Sequence, residues 1–152
     1  MRKIFLTTLL LFALAIGMFN VANANEQKIA TIDIQRVITQ SAKVQALNKE
    51  QEKKILELEK WIEVVKKDVE KQQTQENKEK LFNKYRATYE QKKNAIISDG
   101  QTKMQNIMNE ISDSIAAQAK AKGYTMVITK AVVVYGEEDI TDDVIKAVNS
   151  KK

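Results

Sequence analysis

The sequence of 152 residues contains no cysteine, no histidine and no proline. Without cysteine and histidine, the chain has neither disulfides nor the usual sulfur and nitrogen ligands of zinc, and it lacks the commonest general base. Because proline is missing and glycine occurs only four times, the composition favours long uninterrupted helices. The sequence also contains no phosphate-binding loop and no nucleophile motif. We therefore expect a non-enzymatic protein that needs no cofactor.

The N-terminal segment has the pattern of a signal peptide. Two basic residues come directly after the initiator methionine, and an apolar run follows from Ile4 to about Val21. We predict that residues 1–24 are removed on export to the periplasm. An uncleaved membrane anchor is the alternative, since the apolar run is nearly long enough to span a bilayer. The predicted cleavage site has the A-x-A pattern, and its residues are Ala22, Ala24 and Asn25.

The predicted mature chain is only mildly basic. Its net charge falls from +5 to +3, because the removed segment contains two basic residues and no acidic one. This charge is well below that of a typical nucleic-acid-binding domain, so nucleic acid is not an expected partner. An exported protein without disulfides must instead be stabilised by packing or by oligomerisation.

Two long helices are predicted in the middle of the chain. The first runs from about Ser41 to Gln73 and the second from about Gln75 to Lys122, with a turn within the polar residues 72–79. Thr74 is a candidate N-cap for the second helix, and one continuous helix is the alternative. Helices of this length extend about 45 and 65 Å, so the hairpin must protrude as an arm. The apolar stripes that predict its seam are Ile55, Leu58, Ile62, Val65 and Val69, and then Phe82, Tyr85, Tyr89 and Ile96.

Gly100 marks a change in the second helix. After this residue the apolar stripe moves roughly 80° around the helix axis. We infer that the helix changes its packing partner there, with its second half joining a core near the chain ends. Glycine also weakens a helix by about 1 kcal/mol, which makes Gly100 the hinge candidate.

The two ends of the mature chain are predicted to form strands. Residues 28–34 and 124–135 are rich in β-branched side chains, and the second segment is predicted to form one or two strands, with a break near Lys130. Thr141 is predicted to cap a final helix. The expected fold is α+β, predominantly α, with a helical arm at 42–122 inserted in a β-containing body from 25–41 and 123–152. Because a few short strands leave open edges, we expect a homo-oligomer. Its candidate body residues are Ile29, Ile32, Ile34, Met126, Ile128, Val132 and Val134, and which of them face inward is left open.

Some arm residues are candidates for contact with a partner. Three apolar side chains, Leu56, Trp61 and Val64, lie off the predicted stripe, and exposed apolar groups suit loose capture of unfolded chains. Isolated apolar residues are also normal on surfaces, so this interpretation has an equal alternative. Near the tip, Lys66, Lys67 and Lys71 are candidates for contact with anionic lipid or acidic segments. The alternative is a solvated surface, because acidic residues are interleaved with them.

The chain resembles the Skp/OmpH family of periplasmic chaperones over nearly its whole length. The resemblance rests on KIATIDIQRVI at 28–38, the proline-free arm, GYTMVITKAVVVY at 123–135 and DITDDVIKAV at 139–148. It implies a trimer shaped like a jellyfish, in which three arms surround a cavity that holds unfolded outer-membrane β-barrel proteins without ATP. It also implies contact with anionic lipid or lipopolysaccharide. A structural or tethering coiled-coil protein of the envelope is the alternative.

Overall fold

The computed structural model describes residues 27–150, so the predicted signal peptide and its cleavage residues Ala22, Ala24 and Asn25 lie outside the described part. The predicted fold class is confirmed: the chain is mostly helical, with two long helices and a small parallel sheet. None of the helices between residues 27 and 150 is long and apolar enough to cross a membrane. The elements in chain order are β1 (Ile29–Ile32), α1 (Ile34–Gln40), α2 (Ala42–Glu70), α3 (Gln75–Ala121), β2 (Met126–Thr129), a 3-10 turn (Lys130–Val132), β3 (Glu138–Asp139) and α4 (Thr141–Ser150).

Helices α2 and α3 form the predicted antiparallel hairpin. The chain leaves α2 at Glu70 and enters α3 at Gln75, and the Thr74 hydroxyl accepts a hydrogen bond of 3.2 Å from the backbone N–H of Asn77. The predicted cap is therefore confirmed, and the alternative of one continuous helix is wrong. At its other end α3 stops at Gly123, whose φ of +76° is the left-handed conformation that glycine tolerates best.

The sheet joins the two ends of the described chain. Strand β1 lies in the centre and pairs in parallel with β2 on one side and with β3 on the other. Both outer strands therefore have an edge without a partner within the described chain. The arm is inserted between β1 and β2, which places the sheet at the base of the hairpin.

The first predicted strand is too long, because a helix begins within it. The Asp33 carboxylate accepts a hydrogen bond of 2.9 Å from the backbone N–H of Arg36 and caps α1, so Ile34 opens a helix instead of extending the strand. This short helix was not predicted. It ends at Ser41, whose hydroxyl accepts a bond of 3.4 Å from the Val44 N–H and caps α2.

Residues 124–135 contain one strand, β2, so the alternative of a second strand after Lys130 is wrong. Val132 lies in the 3-10 turn and Val134 in no regular element, and their side chains are 71% and 101% exposed. Their β-branched composition favours a strand, but a strand also needs a neighbour. Both sides of β1 are already occupied, by β2 and by β3.

The residue that caps the final helix differs from the predicted one. Thr141 is the first residue of α4, and its backbone N–H donates a hydrogen bond of 2.9 Å to the Asp139 carboxylate, which takes the capping role. The Thr141 hydroxyl accepts a bond of 2.9 Å from the backbone N–H of Asp33. Burial alone would raise the pKa of Asp139, but hydrogen bonds from Lys130 and Thr141 outweigh it and lower that pKa to about 2.

The hydrophobic core lies where the base of the arm meets the sheet and α4. The second half of α3, after Gly100, contributes to it, as the shift of the apolar stripe predicted. Helix α3 continues through Gly100 without a break. The buried apolar residues of this cluster are Ala30, Ile32, Val37, Val44, Leu47, Ile107, Ile111, Ile140, Val144 and Val148.

Candidate binding surface on the arm

The residues that form the seam between the two helices recur in a heptad repeat, and some of them are polar. The seam begins with buried side chains in the core and continues to the tip at alternating intervals of three and four residues. The predicted stripe was wrong at Ile55 and Ile62, which are exposed. The α2 residues on the protected side, which Gln72 continues in the turn, are Val44, Leu47, Gln51, Lys54, Leu58, Trp61, Val65 and Asp68.

Four charged side chains and one amide side chain occupy the middle of this seam. We call this region the waist, and its residues are Glu50, Gln51, Lys54, Asp99 and Lys103. The Lys54 Nζ lies 2.7 Å from a Glu50 oxygen and 2.5 Å from an Asp99 oxygen, and the Lys103 Nζ lies 2.5 Å from the same Glu50 oxygen. The hydrogen bond from Lys103 lowers the pKa of Glu50, and that from Lys54 lowers the pKa of Asp99. Their partners keep all four groups charged at neutral pH.

Gly100 lies against the waist. A Cβ atom at this position would be 3.1 Å from both Cδ and Oε1 of Gln51, which is tighter than ordinary van der Waals contact. The absence of a side chain therefore lets Gln51 approach the backbone of α3. Whether Gly100 is also a hinge stays a prediction.

An open apolar cleft, which we call the distal cleft, lies between the helices on the tip side of the waist. The Trp61 ring stands edge-on to the Tyr85 ring, with centroids 5.9 Å apart and planes at 83°. The Tyr85 hydroxyl donates a hydrogen bond to the Asp68 carboxylate, which raises the Tyr85 pKa and orients the ring. The cleft has a volume of about 270 Å³, and its apolar lining consists of Trp61, Ile62, Val65, Phe82, Tyr85 and Tyr89.

Phe82 is a correction to the sequence prediction. It was assigned to the seam, but its side chain is 58% exposed, and the neighbouring Leu81 is the better protected residue. The protected positions of α3 near the tip are Lys78, Leu81 and Tyr85, so Phe82 stands beside the seam and lines the cleft from its edge.

Basic side chains surround this cleft. The Lys92 Nζ lies 5.6 Å from the centroid of the Trp61 ring, and the Lys93 Nζ lies 5.9 Å from that of Tyr89, both within cation–π range. Arg86 also lines the cleft. Lys93 pairs with Glu90 at 3.4 Å, whereas neither Arg86 nor Lys92 forms an ion pair with any carboxylate in the described range. The cleft thus combines aromatic walls with a positive rim.

The structure separates the predicted contact residues instead of gathering them. Only Trp61 lines the cleft, although the sequence placed it off the seam. Leu56 and Val64 lie outside it and are 49% and 65% exposed. The three predicted tip lysines, Lys66, Lys67 and Lys71, are exposed and form no ion pair with another described residue.

The body presents a second apolar surface. The segment after β2 exposes large apolar side chains, among them Val132, Val134 and Tyr135, and Met126 of the edge strand is also exposed. Of the other candidate body residues, Ile32 is buried in the core, and Ile29, Ile34 and Ile128 are partly buried. The surface at 126–135 is therefore the part of the body that remains available to another chain.

No group of three or more acidic residues that could hold a metal ion occurs within residues 27–150.

Comparison with known proteins identifies the family. A search of curated proteins found no match. A family model described as outer membrane protein (OmpH-like) matches residues 28–148, which includes the sheet, the whole arm and almost all of α4. The chain therefore belongs to the OmpH-like family, as its resemblance to Skp/OmpH proteins predicted.

Proposed function

We propose that this protein is an ATP-independent periplasmic holdase that binds unfolded outer-membrane β-barrel proteins between the arms of a homotrimer and prevents their aggregation. The observation that carries this proposal is the arm itself. It is a long hairpin that exposes apolar side chains among basic ones, in a chain of the OmpH-like family.

The chemistry of an unfolded barrel protein explains why such an arm suits it. Its future transmembrane strands carry apolar residues at alternate positions, yet the unfolded chain has no fixed shape. A rigid complementary pocket cannot recognise it, so binding must add many weak contacts. Apolar side chains spread along the arm, such as Ile55, Leu56, Val64 and Ile97, supply contacts of this kind. Several arms around one space raise the effective concentration of every contact.

The body supports the proposal of self-association. The outer strands β2 and β3 have free edges within the described chain, and Val134 and Tyr135 are almost fully exposed beside them. Apolar groups this exposed favour burial against further copies of the chain. The number three comes from the family resemblance. Sedimentation equilibrium should therefore give the mass of a trimer, and a stable folded monomer at micromolar concentration would contradict this part of the proposal.

The basic tip supports a further, optional contact. Lys66, Lys67 and Lys71 are exposed and carry no ion pair within the described residues, so they are available to anionic lipid or lipopolysaccharide. Flotation with vesicles that contain anionic lipid, compared with neutral vesicles, tests this contact separately from client binding.

The decisive experiment is aggregation suppression. An outer-membrane barrel protein unfolded in urea is diluted into buffer with and without the mature chain, and light scattering is recorded. We expect suppression without ATP, and no binding of the same barrel protein once it is folded in detergent. A structural or tethering coiled coil would bind one partner at one surface and leave the aggregation unchanged, which would refute the holdase proposal.

A further inference from the structure

The dimensions of the distal cleft match a short piece of extended chain. Phe82 and Tyr89 at its two ends are seven residues apart on α3, which corresponds to about 10.5 Å along the helix. An extended chain advances about 6.8 Å over two residues, and its alternate side chains point to the same side. A cleft of this length and of about 270 Å³ therefore accommodates two side chains that are two positions apart in one extended segment.

The basic rim of the cleft favours a negatively charged group on the bound segment. The Lys93 Nζ lies 5.9 Å from the centroid of the Tyr89 ring, which is close to the advance of two residues of extended chain. Lys93 pairs with Glu90 at 3.4 Å, whereas Arg86 in the lining and Lys92 beside Trp61 form no ion pair within the described residues. The side chain that follows the two apolar ones on the same face of a bound segment therefore reaches the basic rim. A carboxylate is the group that suits this position.

The surrounding charge favours the same occupant. Residues 61–93, which contain the whole lining of the cleft, have nine basic and six acidic side chains, a net charge of +3. This equals the net charge of the whole predicted mature chain, so the rest of that chain is neutral overall. A second copy of the arm would bring the same positive charge to the cleft and be repelled, whereas an acidic segment is attracted.

We propose that the distal cleft binds the end of an unfolded transmembrane β-strand. It takes two alternate aromatic or large aliphatic side chains, and its basic rim pairs with a carboxylate two positions further along the segment. Transmembrane strands end in girdles of aromatic residues, and the walls of Trp61, Tyr85 and Tyr89 offer edge-to-face partners for such rings. This inference rests on the proposed holdase function and names the part of the client that is recognised.

Trp61 provides a direct readout, because it is the only tryptophan in the chain. The mature protein is titrated with three peptides without tryptophan, and the Trp61 emission is recorded. The first peptide has the order phenylalanine, serine, phenylalanine, serine, aspartate within a serine and glycine frame. The second has lysine in place of the aspartate, and the third has serine in place of both phenylalanines. We expect a saturable change with the first, at least fivefold weaker binding of the second, and no saturable change with the third.

Two variants and a matched control locate the site. Phe82→Ser should weaken binding of the aspartate peptide about tenfold, and it should leave the fold intact because this side chain is mostly exposed. Arg86→Glu should reverse the preference between the aspartate and lysine peptides. Asn83→Ser is the control, since Asn83 is an exposed neighbour of Phe82 that does not line the cleft. Circular dichroism confirms that all three remain helical.

The proposal is overturned if the aspartate peptide gives no saturable change, or if the lysine peptide binds equally well. It is also overturned if the Trp61 emission changes with protein concentration alone, because a second copy then fills the cleft. These results are separable from the holdase proposal. Loss of peptide binding with intact aggregation suppression refutes only the cleft, and peptide binding without suppression refutes only the holdase.

Discussion

Replacing Gly100 by alanine tests how the waist of the arm is built. Gly100 lies inside α3, which is helical from Gln75 to Ala121. Alanine in a helix interior is more favourable than glycine by about 1 kcal/mol, because glycine loses more backbone freedom on folding. If nothing else lay near Gly100, the Gly100→Ala variant would be more stable by this amount.

A close contact with Gln51 opposes this stabilisation. The new Cβ would lie 3.1 Å from Cδ and Oε1 of Gln51, so the end of that side chain must move by a few tenths of an ångström. Its hydrogen bond of 3.4 Å from Nε2 to Asp99 would be lost or lengthened. The bond is already long, so we expect a loss below about 1 kcal/mol. Gly100→Ala should therefore stabilise the protein by less than about 1 kcal/mol.

A double-mutant cycle separates the two contributions. Urea unfolding is followed by circular dichroism at one fixed chain concentration, since oligomerisation makes the apparent stability depend on concentration. In a Gln51→Ala background the contact is gone, and Gly100→Ala should then give the full gain of about 1 kcal/mol. An equal loss of stability in both backgrounds would refute this reasoning. It would indicate that Gly100 serves the bending of α3, which broader spin-label distances between arms in the wild type than in the variant would support.

Three further predictions test the core, the body and the tip. Ile111→Ala should reduce the free energy of unfolding by about 2–5 kcal/mol, because this side chain is 1% exposed; a loss below 1 kcal/mol in urea unfolding would contradict the core described above. The hydrogen bonds that lower the pKa of Asp139 to about 2 stabilise the fold above its unfolded pKa near 3.8, so this contribution should disappear as the pH falls from about 4 to 2. Unfolding of Asp139→Asn should show a shallower loss over that range, and an identical loss would refute the assignment. Exchanging Lys66, Lys67 and Lys71 for glutamate should slow association of acidic clients more than it speeds dissociation, with a difference that shrinks above about 0.15 M salt. Stopped-flow rates that are equal and independent of salt would contradict it.

The sequence predicted the ends of the long helices well, because those ends are determined locally. Thr74 caps α3 through a bond to an N–H only three residues away. Gly123 ends it with a backbone conformation that depends on that residue alone. Neither signal needs knowledge of distant parts of the chain, so the hairpin and its turn follow directly from the residues.

The strands were predicted less well, because a strand depends on its partners. The β-branched residues around Val132 and Val134 favour extended structure, yet both sides of β1 are already taken. Conversely, the two-residue strand Glu138–Asp139 has no β-forming composition, and it exists because β1 offers an edge beside Ala30 and Thr31. Pairing across more than a hundred residues of sequence cannot be read from local composition.

The position of Trp61 was missed for a different reason. The alternating spacing was counted only from Ile55 onward, so the polar residues Gln51 and Lys54 lay outside the predicted stripe. Counting them as seam residues continues the alternating spacing from Val44 and places Trp61 inside the hairpin. A charged residue at a seam position is easily misread as surface when its partner, here Asp99, lies on the other helix.

The waist also explains why the base and the distal half of the arm are suited to different roles. Ion pairs among partly exposed side chains contribute little to stability, so the waist fixes the register of the hairpin more than it strengthens it. On the base side, Ile107 and Ile111 are buried in the core with the sheet and α4. On the tip side, the seam includes aromatic residues, among them Trp61 and Tyr85, that remain partly exposed to solvent. Regions with few buried apolar contacts open at lower free energy than a packed core. If the arm binds clients as proposed, the distal half is the part that changes its shape around them while the base keeps the body intact. The cleft in that half is open to solvent without unfolding of the protein.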